Sequence, residues 1–299
     1  MRIALVTTSF PARDGDPSGH FVRAEAHALE AEGHEVVVVA PRARGPGGAF
    51  GWPGVAARLR ENPARGLEAL AWVLAARRRV ARIDAQRVVA HWAVPCAWPV
   101  GTASRAELVV VSHGGDVRLL AAMPAAIRAR IVGAIAARAV EWRFVSDALR
   151  DALLASLASP LRARVERMAV VRPAALEVPA VGDAVARKKR ELAGARIAVS
   201  VGRLVPSKRV DRAIIHVARA REVDALVVVG DGPERARLEA LARTHGVDAR
   251  FVGVVPREES LAWIGAADHV VFASEAEGAS TVLREAEALG TRVVMLGAE

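Results

Sequence analysis

The sequence predicts an α/β protein of two Rossmann-like, doubly wound parallel-sheet domains facing a cleft. Three observations predict it. Short β-branched runs alternate with helical stretches along the whole 299-residue chain. A stretch rich in Pro, Gly and charge interrupts this alternation past the middle, after which it starts again. Apolar residues make up 53% of the chain, enough for each half to bury a core of its own.

The first series opens with RIALVTT (2–8), a continuous apolar run suited to a strand covered on both faces. A polar loop at 11–19 leads into an amphipathic helix from His20 to Glu32, which Gly33-His34 ends. EVVVVAP (35–41) is the second strand, and residues 54–82 read as Arg-rich helix. RVVAHW (87–92), ELVVVSH (107–113), WRFVS (142–146) and MAVVRP (168–173) are further strands, with helices between them. This series sets a first domain at 1–178. Residues 174–194 change character, and 179–194 are expected to be a linker. A second domain, 195–299, follows with strands in RIAVSVG (196–202), DALVVVG (224–230), ARFVGV (249–254), HVVFAS (269–274) and TRVVML (291–296). Ligands of such sheets bind beyond the carboxyl ends of the strands, so the loops after strands are where chemistry is expected.

A net charge of +9 and a pI near 11.1 would ordinarily suggest nucleic acid. Of the 42 basic residues, however, only Lys188, Lys189 and Lys208 are lysines, a bias that fits an Arg-favouring coding background. Aromatics are 4% and Tyr is absent, so platforms for base stacking are hard to build, and no nucleic-acid partner is expected. Cys96, the one cysteine, sits in the apolar stretch VPCAWPV and is expected to be a buried, inert thiol. No Cys/His group has zinc spacing, and no metal site is expected. The apolar run in MRIALVTTSF is too short for a signal peptide, and no apolar run has membrane-spanning length, so a soluble cytoplasmic protein is expected.

Chemistry-bearing residues concentrate at 268–290, DHVVFASEAEGASTVLREAEALG. A strand ends at Ser274, Glu277-Gly278 makes a turn, and a helix is predicted from Ser280 to Leu289. Glu277 and Glu285 are eight residues apart, about 12 Å at helical rise. That separation compares with the span from a sugar ring, across a diphosphate, to a ribose. A carboxylate accepts from two neighbouring hydroxyls at once, so each glutamate suits a diol. The open backbone N–H groups from Gly278 to Thr281 suit a phosphate between them. The plainer alternative makes Glu277 a turn residue and Glu285 a solvated helix position.

This segment resembles the E-x7-E signature of the retaining nucleotide-sugar glycosyltransferases with the GT-B fold, family four. The resemblance extends over nearly the whole chain. It implies that Glu277 holds the donor sugar's hydroxyls and Glu285 the ribose, while Gly278, Ala279, Ser280, Thr281 and Val282 contact sugar and phosphate through the backbone. Upstream, VGRLVPSKRVDRAI (201–214) resembles the family's Gly-Arg and Lys element with Arg203 and Lys208 aligned. The leaving group is a nucleoside diphosphate whose charge grows as the glycosidic bond breaks, and two preorganised cations stabilise it without a metal. In LVVVGDGPERARLEALA (226–242), Gly230-x-Gly232 is half a dinucleotide fingerprint, but Arg235 stands where the third glycine belongs. It matches instead the family's Gly-Asp-Gly-Pro turn, and RFVGVV (250–255), with Gly253, resembles the loop whose backbone receives the nucleotide base.

In the first domain, VVVSHGGDVRLL (109–120) resembles the family's His-Gly-x-Asp element at His113, Gly114 and Asp116. The resemblance makes His113 a positioner of the donor sugar; the alternative is a structural hydrogen bond at a strand end. Gly19 aligns with the glycine-rich loop near the diphosphate and acceptor. Asp14-Gly15-Asp16 imitates the metal motif of the GT-A fold, but its place after the first strand does not fit that role. Ala90-His91-Trp92 resembles a strand-end element near the acceptor. Residues 57–84, an Arg-rich helical pair with Leu and Trp between the charges, resemble helices by which relatives sit on anionic membranes.

The implied activity is hexosyl transfer, with retention, from a UDP- or GDP-sugar to a lipid-linked, polysaccharide or metabolite acceptor. It needs no cofactor or metal and takes place in the cytoplasm or on the inner face of the membrane. The alternatives are an impaired nucleotide-sugar-binding subunit, a sugar-nucleotide epimerase of the same fold, and a nicotinamide oxidoreductase. Relatives usually continue past the strand at 291–296, so the second domain is expected to be incomplete, with a partner chain as one way to complete it.

Overall fold

The computed structural model describes residues 1–12, 15–16, 18–41, 48–50, 55–274 and 280–297. Two compact units emerge: Met1–Ala12 with Ser18–Leu176, and Glu177–Glu299 with residues 15 and 16.

The first unit carries strands β1 (Arg2–Val6), β2 (Glu35–Val39), β3 (Arg87–His91), β4 (Glu107–Ser112), β5 (Ala139–Phe144) and β6 (Ala169–Val171). They form one parallel sheet in the order β2-β1-β3-β4-β5-β6. The apolar runs explain the order of burial. The central strands β1, β3 and β4 are covered almost throughout, while β2 and β6 at the edges are partly open. Helices α1 (His20–Ala31), α2 (Val55–Glu61), α3 (Arg65–Arg82), α4 (Gly115–Ala122), α5 (Ala125–Ala136), α6 (Asp147–Ala155) and α7 (Ser159–Met168) belong to this unit. β5 starts three residues earlier than its apolar pattern suggests, where the pairing with β4 shifts register between Leu108 and Val109. In its interior Trp142 and Phe144 stack at 5.7 Å, and Trp142 Nε1 donates to Ser112 Oγ at 3.0 Å, so the buried indole keeps a partner. Residues 93–103 wind into irregular helical turns that bury Cys96, whose thiol burial pushes well above its usual range.

The second unit carries α8 (Gly182–Glu191), β7 (Ile197–Val201), α9 (Val210–Ala220), β8 (Ala225–Val229), α10 (Arg235–Thr244), β9 (Ala249–Gly253), α11 (Arg257–Ala266), β10 (His269–Phe272), α12 (Thr281–Ala288) and β11 (Arg292–Met295). Its sheet is also parallel, in the order β11-β10-β7-β8-β9. α9 shows why such helices form here: Val210, Ala213, Ile214 and Val217, at helical spacing, are its buried face.

Residues 179–194, expected to be a linker, are part of this unit. Val181, Ala184 and Leu192 enter its core, and α8 packs on α11 so closely that a Cβ at Gly265 would meet Val185 Cγ2 at 2.7 Å. Lys188 adds a cation over the Trp263 ring at 4.4 Å and an ion pair with Glu259 at 3.3 Å. The division between units falls at Leu176/Glu177. Among the described residues, no helix is long and apolar enough to cross a membrane.

Candidate functional site

Each sheet reverses its strand order once on either side of its first strand. In the first unit the reversal lies between β1 and β3, and in the second between β7 and β10. Such switch points open a crevice at the carboxyl ends of the strands, and the candidate residues fall at both.

In the second unit the loop after β7 brings Gly202, Arg203 and Leu204 to the 3-10 turn Pro206–Lys208, while β10 ends in Ala273-Ser274. Ser274 Oγ donates to the Ser207 carbonyl at 3.2 Å, tying the two strand ends together. Gly202, Lys208, Phe272, Ala273, Ser274 and Val282 line a shallow pocket there. The Lys208 stem lies along Gly202, its Cε 3.7 Å from where a Cβ on that residue would stand. Ser280 is the N-cap residue of α12, so Thr281 and Val282 belong to that helix's first turn, of which Val282 lines the pocket. Glu277, Gly278 and Ala279 lie outside the described residues.

The glycine turn after β8 supports this arrangement from behind. Leu204 N–H donates to the Asp231 carbonyl and Gly230 N–H to the Gly253 carbonyl, at 2.9 and 2.8 Å. Gly230 has φ +130°, and a Cβ there would lie 1.9 Å from the Gly202 carbonyl oxygen; one at Gly232 would lie 2.4 Å from that of Leu204. The two glycines are therefore required by backbone packing of the loop that bears Arg203 and Lys208. Gly230→Ala is expected to cost roughly 2–4 kcal/mol, read as a lowered urea midpoint. Gly182→Ala, where a Cβ meets nothing within 4 Å, should change it little. Arg235, in place of a third glycine, reaches the Phe251 carbonyl with Nη2 at 3.0 Å and Asp231 with Nη1 at 3.4 Å, bracing the loop that holds Gly253.

Glu285 is 4% exposed, which overturns the reading of it as a solvated helix position. Its Oε1 accepts from Arg257 Nη1 at 2.6 Å, and Arg257 Nη2 donates to the Glu177 carbonyl at 2.8 Å. Arg257 is itself 8% exposed and opens α11, where the helix dipole disfavours a cation. Its partner Glu285 offsets that position. Sequence reasoning missed Arg257; the signal available was an arginine in a first helical turn.

In the first unit Gly19 precedes α1 with φ +67°, and a Cβ there would stand 2.2 Å from the Ser9 carbonyl oxygen. This sharp entry presents Phe21 toward the ends of β3 and β4. There Phe21, His91 and Trp92 surround the His113 ring, with centroids at 4.7, 5.2 and 5.1 Å. Trp92 has φ +75°, a costly backbone conformation for a bulky residue. Asp116, buried, fixes the loop: Oδ1 accepts from the N–H groups of His113 and Gly114 at 3.2 and 3.1 Å, and Oδ2 accepts from Ala93 N–H at 2.8 Å. His91 Nδ1 and His113 Nε2 are 2.9 Å apart in a hydrogen bond.

Burial lowers the His113 pKa to about 4 and holds His91 well below its usual range, with the neighbouring imidazole and Arg143 adding to the effect on His91. Both rings are neutral at pH 7. The unfolded chain therefore binds more protons between about pH 6.5 and pH 4, and stability is lost as pH falls through that window. Glu25, whose carboxyl burial pushes up, offsets part of the loss. Urea unfolding of the first unit is expected to show a decline of about 1–3 kcal/mol from pH 7 to pH 5, which His113→Asn should flatten.

Among the described residues no group of three or more His, Cys, Asp or Glu is placed to hold a metal ion. Asp14, in the Asp-x-Asp imitation, lies outside the described residues.

Residues 183–296 match the family model described as Glycosyl transferases group 1. No curated protein matches the chain. Among solved structures, it is similar to sucrose-phosphate synthase from Thermosynechococcus elongatus, with a TM-score of 0.68 and 21% identity over 98% of this chain and 80% of that one. It is similar to Alr3699/HepE from Anabaena in complex with UDP, at 0.67 and 17% over 99% and 80%. It is also similar to WaaG, a glycosyltransferase involved in lipopolysaccharide biosynthesis, at 0.62 and 20% over 98% and 80%. The second unit thus carries the match to the Glycosyl transferases group 1 model, in a chain that has the GT-B fold.

Proposed function

We propose that this protein is a retaining glycosyltransferase that moves a hexosyl group from a nucleotide-sugar donor to a lipid-linked, polysaccharide or metabolite acceptor. The observation that carries the reading is the joining of the β7 and β10 ends in the unit that carries the group 1 match. It sets Lys208 and the first turn of α12 around one pocket, with Arg203 on the adjoining loop. A lysine and a helix N-terminus at a switch point suit a diphosphate. Solved neighbours in complex with UDP and with UDP-glucose favour a UDP-type donor.

In this reading the ribose is held by Glu285 and the base by the backbone near Gly253. The donor sugar is held by Glu277 and by the backbone of Gly278, Ala279, Ser280, Thr281 and Val282; the resemblance gives His113 a role toward the sugar and Gly19 one toward the diphosphate and acceptor. As the glycosidic bond breaks, Arg203 and Lys208 take up the charge growing on the departing phosphate, and that phosphate helps deprotonate the acceptor. Because these two side chains supply the positive charge, release of nucleoside diphosphate is expected to continue in EDTA. Incubation with UDP-, GDP- and ADP-sugars, followed by assay of released diphosphate and of product anomeric configuration, tests the reading. Absence of release with every donor, together with donor binding that Glu285→Ala does not change, would overturn it.

We further propose that the protein works in the cytoplasm against an anionic membrane face. On α3, Leu67, Leu70 and Leu74 are 75%, 55% and 46% exposed, and the same face continues into Arg78 and Arg82. A leucine row beside arginines suits the acyl–headgroup boundary. Replacing the three leucines by serine is expected to weaken binding to vesicles containing anionic lipid about tenfold or more, and equal binding by the variant would remove the idea.

A further inference from the structure

Behind His113 lies a buried chain of polar side chains drawn from three elements, α1, β3 and β5. His113 Nε2 and His91 Nδ1 are 2.9 Å apart. The other nitrogen of His91, Nε2, is buried and faces Glu25 Oε2 at 3.5 Å, with no hydrogen-bond partner. Glu25, on α1, accepts from Arg143 Nη1 at 3.0 Å, and Arg143 Nε also bonds Glu141. Glu25 and Arg143 have side chains 14% and 17% exposed, and that of His91 is fully enclosed. Arg172 and Asp116 are the other charges that act on this group.

A neutral imidazole has one N–H and one bare nitrogen, and which is which follows from what each faces. At His91, a bare Nε2 would set its lone pair against those of the Glu25 carboxylate, so Nε2 carries the proton. Nδ1 of His91 is then bare and can only accept. The 2.9 Å contact therefore requires His113 Nε2 to donate, which leaves Nδ1 as the acceptor of the His113 ring. Arg143 keeps the charge on Glu25 compensated, and the Phe21 and Trp92 rings hold the imidazole of His113 in place.

We propose that Glu25 and His91 are positioning residues which fix the orientation and tautomer of His113, so that its Nδ1 is held ready to accept a hydrogen bond from a hydroxyl. This rests on the reading of His113 as a residue that meets sugar; the hydroxyl is that of the donor sugar. The role resembles that of the carboxylate partners which orient histidines in other sites. No bond is made or broken by the pair.

The test is ¹⁵N NMR of the histidine side chains in the whole protein at pH 7.5, with resonances assigned through His91→Asn and His113→Asn. The expected result is Nε2–H on both rings. Glu25→Leu removes the carboxylate that faces His91 Nε2 and is expected to shift both rings toward Nδ1–H, while Glu25→Gln, which keeps a carbonyl oxygen, preserves the wild-type pattern. With an active donor, Glu25→Leu should lower kcat about tenfold or more and leave the donor KM within twofold, and Glu25→Gln should restore most of kcat. Nδ1–H on His113 in the wild type would overturn the proposal. So would Glu25→Leu with unchanged tautomers and kcat. The wild-type spectrum decides even where Glu25→Leu fails to fold. The NMR result does not depend on turnover, so a protein inactive with every donor would defeat the glycosyltransferase reading without touching the tautomer assignment.

Discussion

Lys208→Ala is expected to lower turnover about 10²–10³-fold, the usual loss when one preorganised group facing developing charge is removed. The side chain ends the 3-10 turn Pro206–Lys208, and its stem lies along Gly202 at the pocket. The pocket is shallow and the residue partly exposed, so the fold should survive the change with a urea midpoint near that of the wild type. In the proposed transfer the charge on the leaving diphosphate grows toward the transition state, so the loss should fall on kcat more than on donor KM. Lys208→Arg is a sharper probe. The chain carries lysine at only three positions, yet uses it here. A compact ammonium on a flexible stem fits against Gly202, whereas a planar guanidinium needs more room. Lys208→Arg is therefore expected to recover only part of the lost kcat. Rates unchanged in Lys208→Ala would remove Lys208 from the chemistry.

What could be read from the sequence was local. The strands were legible because each central one is a run of Val, Ile, Leu and Ala, as in β1, β4, β7 and β8, and such runs are what a doubly covered parallel sheet requires. Gly230 and Gly232 could be noticed in sequence, but the reason for them could not, since it is the approach of the 202–204 backbone from another loop. In sequence α8 resembles a connection, because Pro and Gly flank it and charge fills it. Yet Asp183 near its start and Lys188, Lys189 and Arg190 in its last turn are the charge order that a helix dipole favours. The aromatic cage of His113 and the chain to Glu25 were not legible, since their members come from α1, β3 and β4 and meet only when the sheet forms. Arg257 and Glu285 are 28 residues apart and likewise meet only through tertiary packing. The positions of Glu277, Gly278 and Ala279 fall outside the described residues, so for these the sequence pattern is the argument.

Arg257→Ala is expected to destabilise the second unit by about 3–5 kcal/mol, because it leaves the buried Glu285 carboxylate without its cation and the Glu177 carbonyl without its donor. Most of that cost is the uncompensated charge, which is the reason the pair as a whole is worth less than either half removed alone. The double variant Arg257→Met with Glu285→Gln takes away both charges and keeps similar volume. It should regain most of the lost stability, as read from urea midpoints of the whole protein. Donor binding separates the two roles of the glutamate. If Glu285 receives the ribose diol, the double variant will be stable yet bind UDP at least tenfold more weakly, since an amide accepts less strongly than a carboxylate. If the double variant is as unstable as Arg257→Ala, the cost lies in packing around α11 and α12 and not in charge. If it is stable and binds UDP as the wild type does, Glu285 serves the fold alone, and the ribose must be held by other groups at the β7–β10 switch point.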